Sequence, residues 1–337
     1  MTWNERLLTR ADLLPYWPRT TAGTLRIAVQ ALMAQQFDTW PMLRDSITAL
    51  GEVQSRALRV RGADVRVQFN PARIVSTAAV VDAAAIRERP CFLCLENLPP
   101  EEKGIAFGEE YVALCNPFPV LPGHLVIASR AHRPQTIRGT FDVFLDLARE
   151  LGEGWFTVYN GPRCGASAPD HMHFQACSAE QAAVLQDLET WEARDSVMAG
   201  AVESFALRGY RLNLLAARGE DPAALCGWFE HAERALAEIT CSEEEPMMNL
   251  IAAFDANRWT VLCYPRGRHR PACYFAEEEA RLTVSPAAID LSGVMVVPRP
   301  DHFARISASD LERIYAEVTL DDALFGRWLW RLRASLA

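Results

Sequence analysis

The spacing of apolar positions divides the chain into a helical start, two strand-rich blocks and a helical end. Leu43, Ile47, Leu50 and Val53 recur at helical intervals, which predicts a first helical stretch ending near Arg61-Gly62. Val65-Arg-Val-Gln-Phe69 alternates as a strand does, and Asn70-Pro71 stops it. After a short Ala-rich segment, Arg89-Pro-Cys-Phe-Leu-Cys94 reads as a knuckle-like turn. Tyr111 to Leu114 and His124 to Ala128 are strand candidates on either side of the turn-rich Asn116–Gly123. Phe141, Phe144, Leu145, Ala148 and Leu151 place one apolar stripe on a helix. Trp155 to Tyr159 predicts another strand, and a Gly-rich loop from Asn160 to Pro169 leads into His171-Met-His-Phe-Gln175. Read as a strand, this last segment points His171, His173 and Gln175 to one face. A helix over Pro222 to Ile239 precedes strands at Trp259–Pro265 and Leu291–Val297, and two helices close the chain near 309–318 and 321–336. No short-period repeat is present, and the two strand blocks are candidates for a diverged duplication.

Composition narrows the function classes. Half of the 337 residues are hydrophobic and 23% are charged, an ordinary globular balance that allows one large domain or two smaller ones. A net charge of −9 argues against an extended nucleic-acid footprint, which needs clustered cations, but leaves room for a local anion pocket. No apolar run reaches the length of a membrane span, and the polar start Met1-Thr-Trp-Asn-Glu-Arg6 does not resemble a signal peptide. Nine cysteines, odd in number and scattered, suit reduced thiols better than a disulfide framework, so a cytoplasmic protein is expected.

Four groups of residues could carry chemistry. In His171-Met-His-Phe-Gln175, alternation aims two imidazoles and an amide at one small volume. A neutral imidazole is a competent nucleophile toward phosphorus. The preceding Gly165-Ala-Ser-Ala-Pro169 offers backbone N–H groups to phosphate oxygens, and Gln175 another donor. Two histidines on one strand face can equally be unrelated core or surface residues. Cys91-x-x-Cys94 supplies two thiolates to a tetrahedral zinc, with His132 and His171 as candidates for the other ligands. A redox pair or two buried cysteines are the competing readings, although no thioredoxin-like context surrounds them. Pro122-Gly123-His124 could bring His124 to the histidine cluster, as a catalytic or a purely structural group. Arg266, Arg268, His269 and Arg270 form a basic knot that would suit phosphate, with Arg73 a weaker candidate of the same kind, but loop arginines are commonly solvated.

Phe118-Pro-Val-Leu-Pro-Gly-His-Leu-Val-Ile127 together with His171-Met-His-Phe-Gln175 resembles the histidine-triad superfamily. Gln175 stands where hydrolase members have a third His, as in the transferase and phosphorylase branch. Cys91-Phe-Leu-Cys94 looks like the zinc knuckle of galactose-1-phosphate uridylyltransferases. The stretch Tyr159 to Pro169 is similar to the loop of diadenosine tetraphosphate phosphorylases, from which Arg163-Cys164 departs, and His-x-His-Phe-Gln is the form of GDP-hexose phosphorylases. Met248-Asn-Leu-Ile, Trp259 to Arg268 and Ser292-Gly-Val-Met-Val296 resemble the C-terminal half of the dinucleoside polyphosphate enzymes. The likeness spans about residues 65–300.

The resemblance implies an α+β protein with an antiparallel histidine-triad-like sheet, flanking helices and two tandem halves, only the first keeping the His motif. Residues 1–64 would be a helical segment packed on the core, 65–200 the catalytic half and 201–337 the second half. By position, His173 would be the nucleophile, with Gln175 and His171 beside it. Asn160, Gly165, Ala166, Ser167, Arg73, Arg266 and Arg268 would bind phosphates, and a structural Zn2+ would join Cys91, Cys94, His132 and His171. The implied reaction moves a nucleoside monophosphate from a nucleotide sugar or dinucleoside polyphosphate to phosphate or a sugar phosphate. The expected partners are these small molecules, with no nucleic acid or membrane, in a monomer or homodimer. The rivals are a nucleotide hydrolase of the same fold, a zinc-stabilised nucleotide-binding protein without activity, and a redox protein using Cys91 and Cys94.

Overall fold

Two helices, α1 (Leu25–Thr39) and α2 (Pro41–Gly51), lie near the start of the chain, and the apolar spacing of Leu43, Ile47 and Leu50 marks the second. The computed structural model describes residues 2–18, 24–74, 86 and 88–336, so most of the Ala-rich segment lies outside the described residues. The helix expected to continue to Arg61-Gly62 stops at Gly51. The next residues form β1 (Gln54–Val60), antiparallel to β2 (Ala63–Phe69). Arg61 and Gly62 have φ of 45° and 84°, which closes a two-residue hairpin, so the pair ends a strand and not a helix.

Among the described residues, ten further strands come in two runs of five. The first run is β3 (Gly104–Phe107), β4 (Tyr111–Cys115), β5 (Leu125–Ser129), β6 (Trp155–Asn160) and β7 (His173–Ser178). The second is β8 (Arg194–Met198), β9 (Val202–Leu207), β10 (Leu215–Gly219), β11 (Met248–Asp255) and β12 (Arg258–Pro265). They build one sheet in the order β3-β4-β5-β7-β6-β11-β12-β10-β9-β8. Counted inward from either edge, each half runs first, second, third, fifth, fourth strand. Each also has one long helix between its third and fourth strands, α3 (Phe141–Leu151) in the first half and α4 (Pro222–Thr240) in the second. The two fourth strands meet antiparallel at the centre, from Asn160↔Asn249 to Phe156↔Ala253. The topology is therefore duplicated and the halves join head to head, although no repeat is visible in the sequence. The strand matching β7 in the second half is β12, and it carries no histidine.

The chain ends with α5 (Ala288–Leu291), β13 (Val294–Val297), α6 (Ala308–Val318) and α7 (Asp322–Leu336). Strand β13 pairs parallel with β2, and the three-stranded sheet β1-β2-β13 ties the beginning of the chain to its end. Alternation along the large sheet feeds a large core on each face. Trp259, Val261 and Cys263 join one core with residues of α1 to α4 and α7. Leu262 and Tyr264 join the other with Val65, Val67, Val294 and α6. Phe174 and Ala176 enter the helix-covered core, so His173 and Gln175 project toward the face closed by β2, β13 and α5. Among the described residues, no helix is long and apolar enough to cross a membrane.

Candidate active site and metal centre

Strand β7 begins at His173, and its register against β5 sets Ala128 opposite His173 and Val126 opposite Gln175. His173 Nδ1 lies 2.8 Å from the His171 carbonyl, which only a donor can satisfy; Nδ1 therefore carries the proton and Nε2 the lone pair. Burial, the largest influence, brings the His173 imidazole down to about 4, so the ring is neutral at neutral pH. Gln135 clips this residue in place. Its Oε1 accepts from the His173 backbone N–H at 2.8 Å, and its Nε2 donates to the carbonyls of His173 and Asn160 at 3.0 Å each.

The orientation of Gln175 is also determined. The Val120 N–H donates to His124 Nδ1 (3.1 Å), so Nε2 of His124 carries the proton and donates to Gln175 Oε1 at 2.7 Å. The Gln175 amide NH2 is left as a donor. Burial brings His124 down to about 4, which keeps it neutral and its tautomer fixed. Gly123 makes this turn close: its φ is +71°, and a Cβ there would lie 2.9 Å from the Trp155 ring.

A cleft of about 710 Å³, counted to its open mouth, adjoins the motif. The first half contributes Asn160, the Gly165–Ser167 loop and Gln175, with Arg73 and Val120 beside them. The second half contributes His269, Arg270 and Ser285, and the segment around α5 adds Ala287 and Asp290. Gly165 has φ +121°, and a Cβ on it would come 2.7 Å from the Ala287 Cβ, so the loop and the opposite wall approach as only glycine allows. Asn160, Gly165, Ala166, Ser167, Arg73 and Gln175 thus meet at one place. His173 adjoins them but is not itself a lining residue.

Two expected phosphate ligands are placed elsewhere. Arg266 is 2% exposed and spends its donors inside the protein. Nε donates to Val318 O (2.8 Å), Nη2 to the carbonyls of Arg268 (3.1 Å) and His269 (3.0 Å), and Nη1 to Cys164 O (3.4 Å) and Asn249 Oδ1. It pins the basic loop and does not line the cleft. Arg268 is exposed and does not line it either. Their neighbours His269 and Arg270 do, with Ser285 Oγ within 3.3 Å of His269 Nε2 and accepting from Arg270 Nε at 3.2 Å.

His171 parts from His173. Its Nε2 lies 2.8 Å from Ser129 O, so the proton is there and Nδ1 is free to act as a ligand. That Nδ1 is 3.2 Å from Cys91 Sγ and 3.6 Å from Cys94 Sγ, while His132 Nδ1 is 3.2 Å from Cys94 Sγ. With both ring nitrogens engaged, His171 belongs to the cysteine cluster, and the catalytic part expected of it is not supported by its position. The four ligand atoms of Cys91, Cys94, His132 and His171 all lie within 4.8 Å of one another. Two sulfurs and two imidazole nitrogens this close fit a tetrahedral cation. Burial, then the neighbouring Cys91, push the Cys94 thiol up to about 12; a divalent cation opposes this because a coordinated thiol is deprotonated. Outside the cluster, His132 Nε2 faces Asp170 at 3.9 Å, and Arg89 donates to Asp170 (2.8 Å) and to Ser167 O (3.3 Å), tying the knuckle to the loop.

Sequence reasoning missed Gln135, Asn249 and Asp290. Asn249 lies within the family-like stretch Met248-Asn-Leu-Ile251, and nothing local marks Gln135. Asp290 accepts from the Ala287 and Val296 N–H groups, and burial raises it to about 6.

Residues 32–178 match the family described as "Domain of unknown function (DUF4922)", and residues 229–331 match "GDPGP1-like, C-terminal domain". No curated protein sequence matches the chain. Among solved structures, yeast Ap4A phosphorylase Apa2 in complex with AMP superposes with a TM-score of 0.56 at 16% identity, over 85% of this chain and 97% of that one. The same phosphorylase in complex with Ap4A gives a TM-score of 0.54 at 14% identity, over 86% and 97%. The resemblance read from the motifs thus extends to the architecture, and the chain has the α+β histidine-triad-like fold of the yeast Ap4A phosphorylase.

Proposed function

We propose that this chain is a nucleotidyltransferase of the phosphorylase type, working through a covalent nucleotidyl-His173. The observation that carries the reading is the pair His173 and Gln175. One hydrogen bond from His173 Nδ1 to His171 O leaves Nε2 as nucleophile, and one from His124 leaves the Gln175 amide as donor. In the first displacement, Nε2 attacks the α-phosphorus of a dinucleoside polyphosphate or nucleotide sugar. The bond from that phosphorus to the bridging oxygen breaks, and the leaving group departs with its phosphate. In the second, an oxygen of inorganic phosphate or a sugar phosphate attacks the same phosphorus, and the P–N bond returns its electron pair to the imidazole. Gln175, Asn160 and the N–H groups of the Gly165–Ser167 loop would hold the equatorial oxygens. Positioning and electrostatics then account for most of the rate. Arg73 and Arg270 face the same cleft and suit the flanking phosphates.

The donor set of Cys91, Cys94, His132 and His171 suits a structural zinc, which would brace the strand that carries His173. Brief incubation with ADP-, GDP- and UDP-sugars and with diadenosine tetraphosphate, in the absence of phosphate, tests the mechanism by intact mass. The expected result is a gain of one nucleoside monophosphate that is absent in His173→Ala. A folded, metal-loaded protein that gains no mass with any donor overturns the covalent reading.

A further inference from the structure

The half without the histidine motif reaches the cleft through a chain of buried amides whose direction is fixed at every link. Arg266, at the end of β12, is an obligate donor, because a guanidinium has no acceptor atom. Its Nη1 donates to Asn249 Oδ1. Asn249 Nδ2 then donates to Asn160 Oδ1 at 2.7 Å and to the Cys164 carbonyl at 2.8 Å. The Cys164 carbonyl can only accept, so the Asn249 amide is oriented from both ends. Asn160 Oδ1 also accepts from the Ala288 N–H at 3.0 Å, which can only donate. With Oδ1 occupied twice, the group Asn160 has left for the cleft is Nδ2, a donor. Asn249 and Asn160 are register partners on β11 and β6, so the chain crosses the seam where the two halves join. Asn249 is fully buried, and Asn160 is 5% exposed.

We infer that Asn249 and Arg266 are positioning residues, a relay by which the second half holds Asn160 with its amide N–H toward the substrate phosphate. This rests on the reading of the cleft as a phosphate site. An Asn160 turned the other way would present a carbonyl oxygen to an anion. The relay forbids that orientation, because the flip would set N–H against the N–H of Ala288 and leave Asn249 Nδ2 facing a donor. Duplication thus gives the histidine-free half a task that Arg266 performs without touching substrate. Asn249→Asp inverts the relay at nearly constant volume: a carboxylate can still accept from Arg266 but offers no donor to Asn160 Oδ1 or Cys164 O.

Two measurements test the inference. The first follows the Asn160 side-chain NH2 resonances by NMR as inorganic pyrophosphate is added to the unaltered protein and to Asn249→Asp. The second compares kcat and KM for diadenosine tetraphosphate with inorganic phosphate. The expected results are a pyrophosphate-dependent shift of the Asn160 NH2 in the unaltered protein and its loss in Asn249→Asp. A fall in kcat/KM on the order of 100-fold, carried mainly by kcat, should accompany that loss, as for removal of one transition-state donor. Arg266→Lys, which keeps a charged donor, should retain the shift and a larger share of the activity. Asn160 resonances that ignore pyrophosphate in the unaltered protein overturn the relay whether or not any variant folds. So does a folded Asn249→Asp with unchanged kcat. An unaltered protein that binds pyrophosphate through Asn160 but turns over no nucleotide overturns the transferase reading and leaves the relay standing.

Discussion

Replacing Gln135 by leucine should be among the most damaging changes of similar size available in this protein. The side chain is 3% exposed and makes three hydrogen bonds: one from the His173 N–H at 2.8 Å, and one each to the carbonyls of Asn160 and His173 at 3.0 Å. Leucine fills much the same space with no polar atom, so one N–H and two carbonyls lose this partner inside the sheet. Each orphaned buried group costs about 1–3 kcal/mol, and members of one network are not additive, so a total loss of roughly 3–5 kcal/mol is expected. Gln135→Ala should be milder, about 2 kcal/mol, because the vacated polar space can admit a water that restores part of the bonding. Urea unfolding followed by tryptophan fluorescence gives both values from the midpoints and slopes. The order is the informative part: leucine worse than alanine, although alanine leaves the larger void. A Gln135→Leu protein within 1 kcal/mol of the unaltered one, or more stable than Gln135→Ala, refutes the view that this amide clips β6 to β7.

Glu102 should make the protein less stable as pH rises. Burial raises its carboxyl from 4.5 to about 8, against the opposing influence of Arg6. A group raised in the folded state contributes stability below its unfolded value and loses it as pH climbs to the folded value. Glu102→Gln should therefore match the parent near pH 4 and exceed its melting temperature increasingly between pH 4.5 and 8; equal melting curves at pH 8 would refute the assignment. Cys91→Ser removes one of the four clustered ligands, so it should lower metal content by mass spectrometry of the native protein and depress the unfolding midpoint. Full zinc and full stability in that variant would count against the knuckle.

The local parts of the site were legible because they are close in sequence. Asn160, the Gly165–Ser167 loop, His173 and Gln175 fall within one short segment, where a strand, a glycine-rich turn and a second strand suffice to bring them together. The apolar stripe of α3 and the alternation of β2, β7 and β12 reported their elements for the same reason, since periodicity is a local property. It misled at residues 52–62, where Val53 extended the helical spacing of α2 while the left-handed Arg61-Gly62 pair closed a hairpin. The basic loop misled in another way. Arg266 and Arg270 look alike in sequence, yet one donates into a ring of buried carbonyls and the other lines the cleft.

Taken alone, the sequence determined most element types, the histidine motif with its glycine-rich loop, and the four residues Cys91, Cys94, His132 and His171 that gather in one cluster. Only the tertiary structure decided that the strands repeat one topology twice around a central β6–β11 seam. It likewise decided that His171 turns to the cysteines, that Gln135 bonds the His173 backbone, and that Arg266 and Asn249 lead in turn to Asn160. The physical reason is the range of the interactions. Backbone periodicity is set by neighbours a few residues apart, whereas a buried polar group is satisfied by whatever donor or acceptor the fold delivers, as Asn160 Oδ1 is by the Ala288 N–H 128 residues away.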